Sequence, residues 1–191
     1  MKTITTNLYE FSELSDSAKT VARQWYIDGM GNDWQECVIE HCSDIASLLG
    51  FTDFKIYFSG FWSQGDGACF TGNYKYKKDS VKAIKSFAGV DTALHNIAKS
   101  FREMQRVEFY QMAVKISHSG RYYHENSMRY EFSRLDGKES VLESSECFKD
   151  FAKWIYKQLE KEYYYQISDA VIDENIACNE YYFTIDGKFA E

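Results

Sequence analysis

The chain has 191 residues, a formal charge of −7 and no proline, and 17% of it is aromatic, with 15 Tyr, 14 Phe and 4 Trp. So many large rings can bury a core, which excludes a disordered chain, and the missing proline excludes collagen-like, Pro-rich and mucin-like ones. The length suits one α+β domain over residues 1–191.

In chain order, the β-branched and aromatic stretch TITTNLYEF predicts a strand. Ser15 then caps a helix, with Asp16 in its first turn and Leu14, Ala18, Val21, Ala22 and Trp25 on one apolar face. Gly29 and Gly31 end it. Asp33 caps a second helix closed by Gly50, carrying Trp34, Cys37, Val38, Cys42, Ile45, Leu48 and Leu49 at helical spacing. The short link predicts an αα-hairpin. Phe54, Ile56 and Phe58 alternate as a strand does, and Ala68 to Tyr76 returns as its partner around a polar tip. Asp79 and Asp91 start two helices. The segment from Glu108 to Arg134 reads as two long strands joined at Ser119-Gly120. A loop leads to one long helix from Glu146 to Asn179, with Phe148, Phe151, Ala152, Ile155, Leu159 and Tyr163 as its apolar stripe. The tail EYYFTIDGKF predicts a strand and turn. The expected fold is α+β, an antiparallel sheet of about four to five strands with helices on one face.

The N-terminus shows no apolar stretch of signal-peptide length, and no run approaches 18 apolar residues, so no membrane span is expected. Five widely spread cysteines, Cys37, Cys42, Cys69, Cys147 and Cys178, read as reduced thiols and mostly as buried apolar residues, in a cytosolic protein.

Charge is laid out in blocks. Residues 1–74 hold four basic and ten acidic side chains, 75–134 hold twelve basic and six acidic, and 135–191 hold six basic and thirteen acidic. The terminal block interleaves Glu143, Glu146, Asp150, Glu160, Glu162, Asp169, Asp173, Glu174, Glu180 and Asp186 with Tyr156, Tyr163, Tyr164, Tyr165, Tyr181 and Tyr182. Acid with tyrosine makes a protein-docking surface, and Glu160, Glu162, Asp169, Asp173, Glu174, Tyr163, Tyr164 and Tyr165 are its candidate residues. An ordinary solvated helix face explains the same pattern. The basic middle, with Lys75, Lys77, Lys78, Lys82, Lys85, Arg102, Arg106, Arg121 and Arg129, is the alternative site for a nucleic acid, opposed by the acidic blocks on either side.

The tip SGFWSQGDGACF is the second candidate site, through Ser63, Gln64 and Asp66. Asp66 between two glycines serves a metal or a proton transfer on one reading, and a structural turn on the other. It lacks the Gly-Lys-Ser/Thr of a P-loop and the three-glycine spacing of a dinucleotide site. Cys37, His41 and Cys42 share a helix, and His118 and His124 flank the expected turn, yet no zinc-binding spacing occurs, so no metal and no cofactor is assigned. No local signature marks a Cys/His nucleophile, and His95 reads as a satisfied or surface histidine.

The segments YEFSELSDSAKTVARQWY, YFSGFWSQGDGACFTGNY and FKDFAKWIYKQLEKEYYYQISDAVIDENIACNEYYFTIDGK together resemble an uncharacterised group of tailed-phage and prophage proteins loosely labelled antitoxin-like. The aromatic-SGF-x-SQGDGA stretch carries most of the specificity, with Trp62 and Cys69 at variable places. The resemblance implies a mobile-element origin and the bacterial cytosol, and it transfers no catalytic residue. By analogy, small acidic phage proteins block host defence complexes. The expectation is a non-enzymatic inhibitor, anti-CRISPR or antitoxin-like, that binds a host defence protein or nuclease complex, with a homodimer as a further expected association. An enzyme with its site at Ser63–Asp66 is the alternative.

Overall fold

The computed structural model describes residues 7–31, 33–140 and 144–190. Contacts divide the chain into a central unit, residues 36–160, and a terminal unit, residues 1–35 with 161–191. The central unit is built on one antiparallel four-stranded sheet in the order β2 (Phe51–Phe58), β3 (Ala68–Lys75), β4 (Met112–His118) and β5 (Met128–Arg134), with helices packed against one face. These are α2 (Glu36–Leu49), α3 (Ser80–Phe87), α4 (Thr92–Val107) and most of α5 (Glu146–Gln166). The α+β class and the antiparallel sheet follow the sequence. The face opposite the helices carries polar side chains, among them the cross-strand pair Lys115–Glu131 at 3.7 Å.

The core of this unit is aromatic. Phe51, Phe70, Tyr74, Phe101, Phe148 and Phe151 are almost wholly buried. Their rings meet at 5–6 Å, mostly edge-to-face, for example Phe51–Phe101 at 5.6 Å and 90° and Phe101–Phe148 at 5.0 Å and 83°. β2 alternates over Phe54, Ile56 and Phe58 as its sequence suggests, but its start breaks the pattern. Its register against β3 shifts between Thr52 and Lys55, where Asp53 takes φ 53° and Gly72 of β3 takes φ +151°. The bulge turns both Phe51 and Phe54, an odd number of residues apart, into the same core, with their rings 5.3 Å apart. Gly72 suits this place because a Cβ would lie 2.8 Å from the Thr52 carbonyl. Asn73 Nδ2 donates to Asp53 at 2.9 Å and anchors the bulge.

The terminal unit pairs α1 (Asp16–Gly29) with α6 (Asp169–Cys178) and the short strands β1 (Tyr9–Glu10) and β6 (Tyr182–Phe183). Ser15 caps α1 as expected, accepting from the Ala18 amide at 3.3 Å. Phe11, Leu14, Ala18, Ala22, Ile172, Ile176 and Phe183 form the core, and Trp25 stacks on Phe189 at 4.2 Å. Val21, expected on the apolar face, is exposed instead.

Four further expectations are corrected. Only Tyr9–Glu10 of the opening stretch is a described strand, and residues 3–6 and Glu143 lie outside the described residues. The helices read as an αα-hairpin belong to different units, and Asp33 opens a short 3-10 turn (Asp33–Gln35) before α2. The long terminal helix breaks at Ile167-Ser168, because Ser168 adopts extended backbone at φ −70°, ψ 143° and its hydroxyl donates to the Tyr165 carbonyl at 2.7 Å. β4 and β5 are joined by a loop over 119–127 and not by a tight Ser119-Gly120 turn, and β4 starts at Met112, not Glu108. No helix among the described residues is long and apolar enough to cross a membrane.

Removing the ring at the centre of the core is the direct check on this packing. Phe51→Ala lowers the unfolding free energy by about 3–5 kcal/mol, measured by urea denaturation, since neighbouring rings cannot collapse to refill its volume.

Candidate functional site

At one end of the sheet, the 59–67 loop that joins β2 to β3 packs on the 119–127 loop. Asp66 organises the first. Its Oδ2 accepts from the amides of Ser63 at 2.7 Å and Trp62 at 2.9 Å, while its own amide donates to the Ser63 carbonyl at 3.0 Å. The Ser63 amide holds the Asp66 carboxyl below its ordinary value of 3.8, with the Trp62 amide next and the Ser59 hydroxyl adding to them. Ser63 and Gln64 are exposed on the same loop. Gly67 is packed so closely on the second loop that a Cβ there would lie 2.6 Å from His124 Cβ. Tyr156 donates to the Gly60 carbonyl at 3.0 Å and stacks near Phe61, so α5 supports the loop from below. These bonds are those of a loop-ordering aspartate.

The histidines around this end are also engaged. His118 lies 3.1 Å from the Tyr122 carbonyl and against the rings of Tyr57 and Tyr123. His124 Nδ1 accepts from the Asn126 amide at 3.0 Å. On α2, His41 stacks on Phe87 at 5.5 Å, Cys42 is buried and Cys37 is exposed. Among the described residues, no three His, Cys, Asp or Glu side chains come together as metal ligands. Burial pushes the Cys42 and Cys147 thiols up to about 12, so at neutral pH neither supplies a thiolate. His95 lies 2.8 Å from the Ala88 carbonyl, at the end of α3.

The acidic candidates fall into three groups. Asp173 accepts two bonds from Arg23, from Nε at 2.6 Å and Nη2 at 2.7 Å, and Asp169 lies 2.9 Å from Nη1. These two carboxylates therefore clamp α6 to α1. Glu162 accepts from Gln166 at 2.8 Å, and Tyr163 packs edge-on against Trp34 at 5.5 Å. Tyr164, Tyr165 and Glu174 are exposed, whereas Glu160 belongs to the central unit. A groove of about 380 Å³ lies nearby in the terminal unit, lined by Glu10, Phe11, Ser12, Glu180, Tyr181 and Tyr182 among others. Glu180 shapes it with a left-handed backbone, φ 53°.

A third feature leaves no signal in the sequence. The α4–β4 connection runs through Phe109 and Tyr110, both left-handed at φ 53° and 61°, a conformation that costs bulky residues about 1–3 kcal/mol each. Buried polar bonds hold it. The Gln105 side chain donates to the Met112 carbonyl at 2.9 Å and accepts from the Met112 amide at 3.3 Å. Glu108, fully buried, accepts from Arg134 at 2.5 Å and from Ser140 at 3.1 Å, and Arg134 also binds Asp136. Arg134 holds the Asp136 carboxyl well below the usual range. Because Glu108 and Phe109 sit in an apolar, aromatic run, the sequence reads there as strand.

The antiparallel sheet with helices packed against it, and the shallow grooves on its surface, define the class: a small α+β protein. The chain belongs to the family described as the domain of unknown function DUF8835, which matches residues 34–169. No curated protein and no solved structure matches it.

The pH response of the 59–67 loop checks the role of Asp66. With its folded carboxyl below the unfolded value, Asp66 stabilises the loop above pH 3.8 and stops doing so as the pH falls through the lower folded value. The Trp62 backbone amide resonance keeps its native shift below pH 3.8 and moves only at lower pH. In Asp66→Ala it is displaced at neutral pH as well.

Proposed function

We propose that the protein is a non-catalytic binding protein that docks an acidic, tyrosine-bearing surface on a basic surface of a partner. The partner is a host defence protein or nuclease complex in the bacterial cytosol, and the protein acts as a phage- or prophage-encoded inhibitor of the anti-CRISPR or antitoxin-like kind. No cofactor enters this reading. The observation that carries it is the distribution of charge between the two units. Residues 1–35 with 161–191 hold five basic and twelve acidic side chains, a net of −7, whereas residues 36–160 hold seventeen of each. The whole net charge of the chain thus sits on the smaller unit. Arg23 neutralises only part of it, through Asp169 and Asp173.

The same unit supplies the contact chemistry. Exposed Tyr164, Tyr165 and Tyr182 offer flat, amphipathic area, and the groove lined by Glu10, Glu180, Tyr181 and Tyr182 has the dimensions and charge to take a lysine or arginine side chain. A concentrated field of one sign steers a basic partner and makes association salt-dependent. The phage and counter-defence part of the reading rests on the sequence resemblance.

Capture from bacterial host lysate at about 50 mM salt recovers a basic defence or nuclease component, and raising the salt to about 500 mM releases it. Glu174→Lys with Glu180→Lys, and separately Tyr164→Ala with Tyr165→Ala, weaken that binding at least about tenfold while near-UV circular dichroism stays native. Recovery of no such component, or retention that neither salt nor charge reversal changes, refutes the reading.

A further inference from the structure

The central unit carries a site of opposite character. α3 and α4 pack side by side, and a pocket of about 340 Å³ opens on their surface, lined by Tyr76, Asp79, Lys82, Lys85 and Arg102 together with the start of α3. Its volume falls within the range of small-molecule sites, about 300–1,000 Å³. Lys82 and Lys85 stand three residues apart on one face of α3. Among the described residues, neither is ion-paired. Arg102 reaches the pocket from α4, half exposed, with Glu103 3.1 Å from one of its amino groups. Asp79 is the one carboxylate in the lining, and Glu103 pairs with Arg102 from outside it, so the two lysines and the arginine still outnumber the carboxylates beside them. The wall at Asp79 and Ser80 is also the first turn of α3, which the Asp79 side chain leaves uncapped; its dipole adds to the cations without making the site by itself.

An aromatic wall completes the pocket. Tyr76 lines it, and Tyr110 lies against Tyr76 with ring centroids 4.4 Å apart. Tyr110 reaches that place only through the left-handed turn at Phe109-Tyr110, which the buried Gln105–Met112 and Glu108–Arg134 bonds hold. The ring pair is therefore positioned before any ligand arrives. Cations grouped beside a fixed tyrosine pair match a ligand that joins a phosphate to a flat ring: the phosphate takes charge-assisted bonds from lysine and arginine, and a base stacks on tyrosine.

We propose that this pocket binds a nucleoside phosphate, with the phosphate on Lys82, Lys85 and Arg102 and the base against the Tyr76–Tyr110 pair. The site lies within the matched family region and uses no residue of the acidic unit, so it stands independently of the docking surface. The ligand is a free nucleotide or a nucleotide of a single strand, which share this chemistry.

Isothermal titration of the full chain tests it with ATP, adenosine, inorganic phosphate and a short oligothymidylate. ATP binds, and adenosine and inorganic phosphate each bind at least about tenfold more weakly. Lys82→Ala with Arg102→Ala weakens ATP at least about tenfold, and so does Tyr76→Leu. Tyr110→Leu, at a more exposed ring, repeats the second result should Tyr76→Leu fail to fold. Tighter binding of the oligonucleotide than of ATP supports the site with a strand as the source, and the reverse order supports it with the free nucleotide. The proposal falls if millimolar ATP gives no heat, if the basic substitutions leave its affinity unchanged, or if inorganic phosphate binds as tightly as ATP.

Discussion

Phe51 and Phe54 lie three residues apart on one strand, and a regular strand would send them to opposite faces. The bulge at Asp53, opposite Gly72, sends both inward. The rest of the central unit depends on that adjustment. With both rings on one side, β2 supplies the floor on which Phe70 and Tyr74 of β3, Phe101 of α4 and Phe148 and Phe151 of α5 converge. Edge-to-face rings pack densely and in defined directions, so the helices are set in register with the sheet by the same contacts that stabilise it. The high aromatic content is thereby explained as the material of one core.

From that core, polar bonds fix the surfaces. Asp91 uses one oxygen to cap α4 at the Leu94 amide and the other to accept from the Trp154 indole at 2.8 Å, which ties the start of α4 to α5. At the far end of α4, Gln105 and Glu108 are buried and fully engaged, and they hold a turn whose backbone the aromatic side chains alone would not choose. A buried carboxylate of this kind costs several kcal/mol to desolvate and persists only with its arginine in place. Rigid supports beneath exposed aromatic rings are the pattern of a preorganised binding surface.

The two units divide the electrostatics between them. The terminal one carries the net negative charge and the central one is neutral overall, with Lys82, Lys85, Lys99, Arg102 and Arg106 on α3 and α4. The matched family region covers the central unit, whereas much of the acidic unit lies on either side of it. The matched region of this chain includes the residues of the basic pocket, the Gly-Asp-Gly loop and Tyr163 to Tyr165, whereas Glu174 and Glu180 lie beyond it.

The sequence by itself determined the fold class and most elements. Helical spacing of apolar residues, Ser15 and Asp91 as caps, Gly50 as a stop and the alternation of Phe54, Ile56 and Phe58 in β2 are local signals, and local signals are legible. In the tip, Asp66 between glycines was visible as a feature, although its atoms, bound to the Ser63 and Trp62 amides, show what it does there. Tertiary structure alone decided what depends on distant partners: the bulge that pairs Phe51 with Phe54, the break at Ser168, the left-handed Phe109-Tyr110 turn and the capture of Asp169 and Asp173 by Arg23. It also regrouped the charge. Blocks that look acidic, basic and acidic along the chain become one acidic unit and one neutral unit, because folding brings residues 1–35 beside 161–191, and linear order carries no record of that proximity.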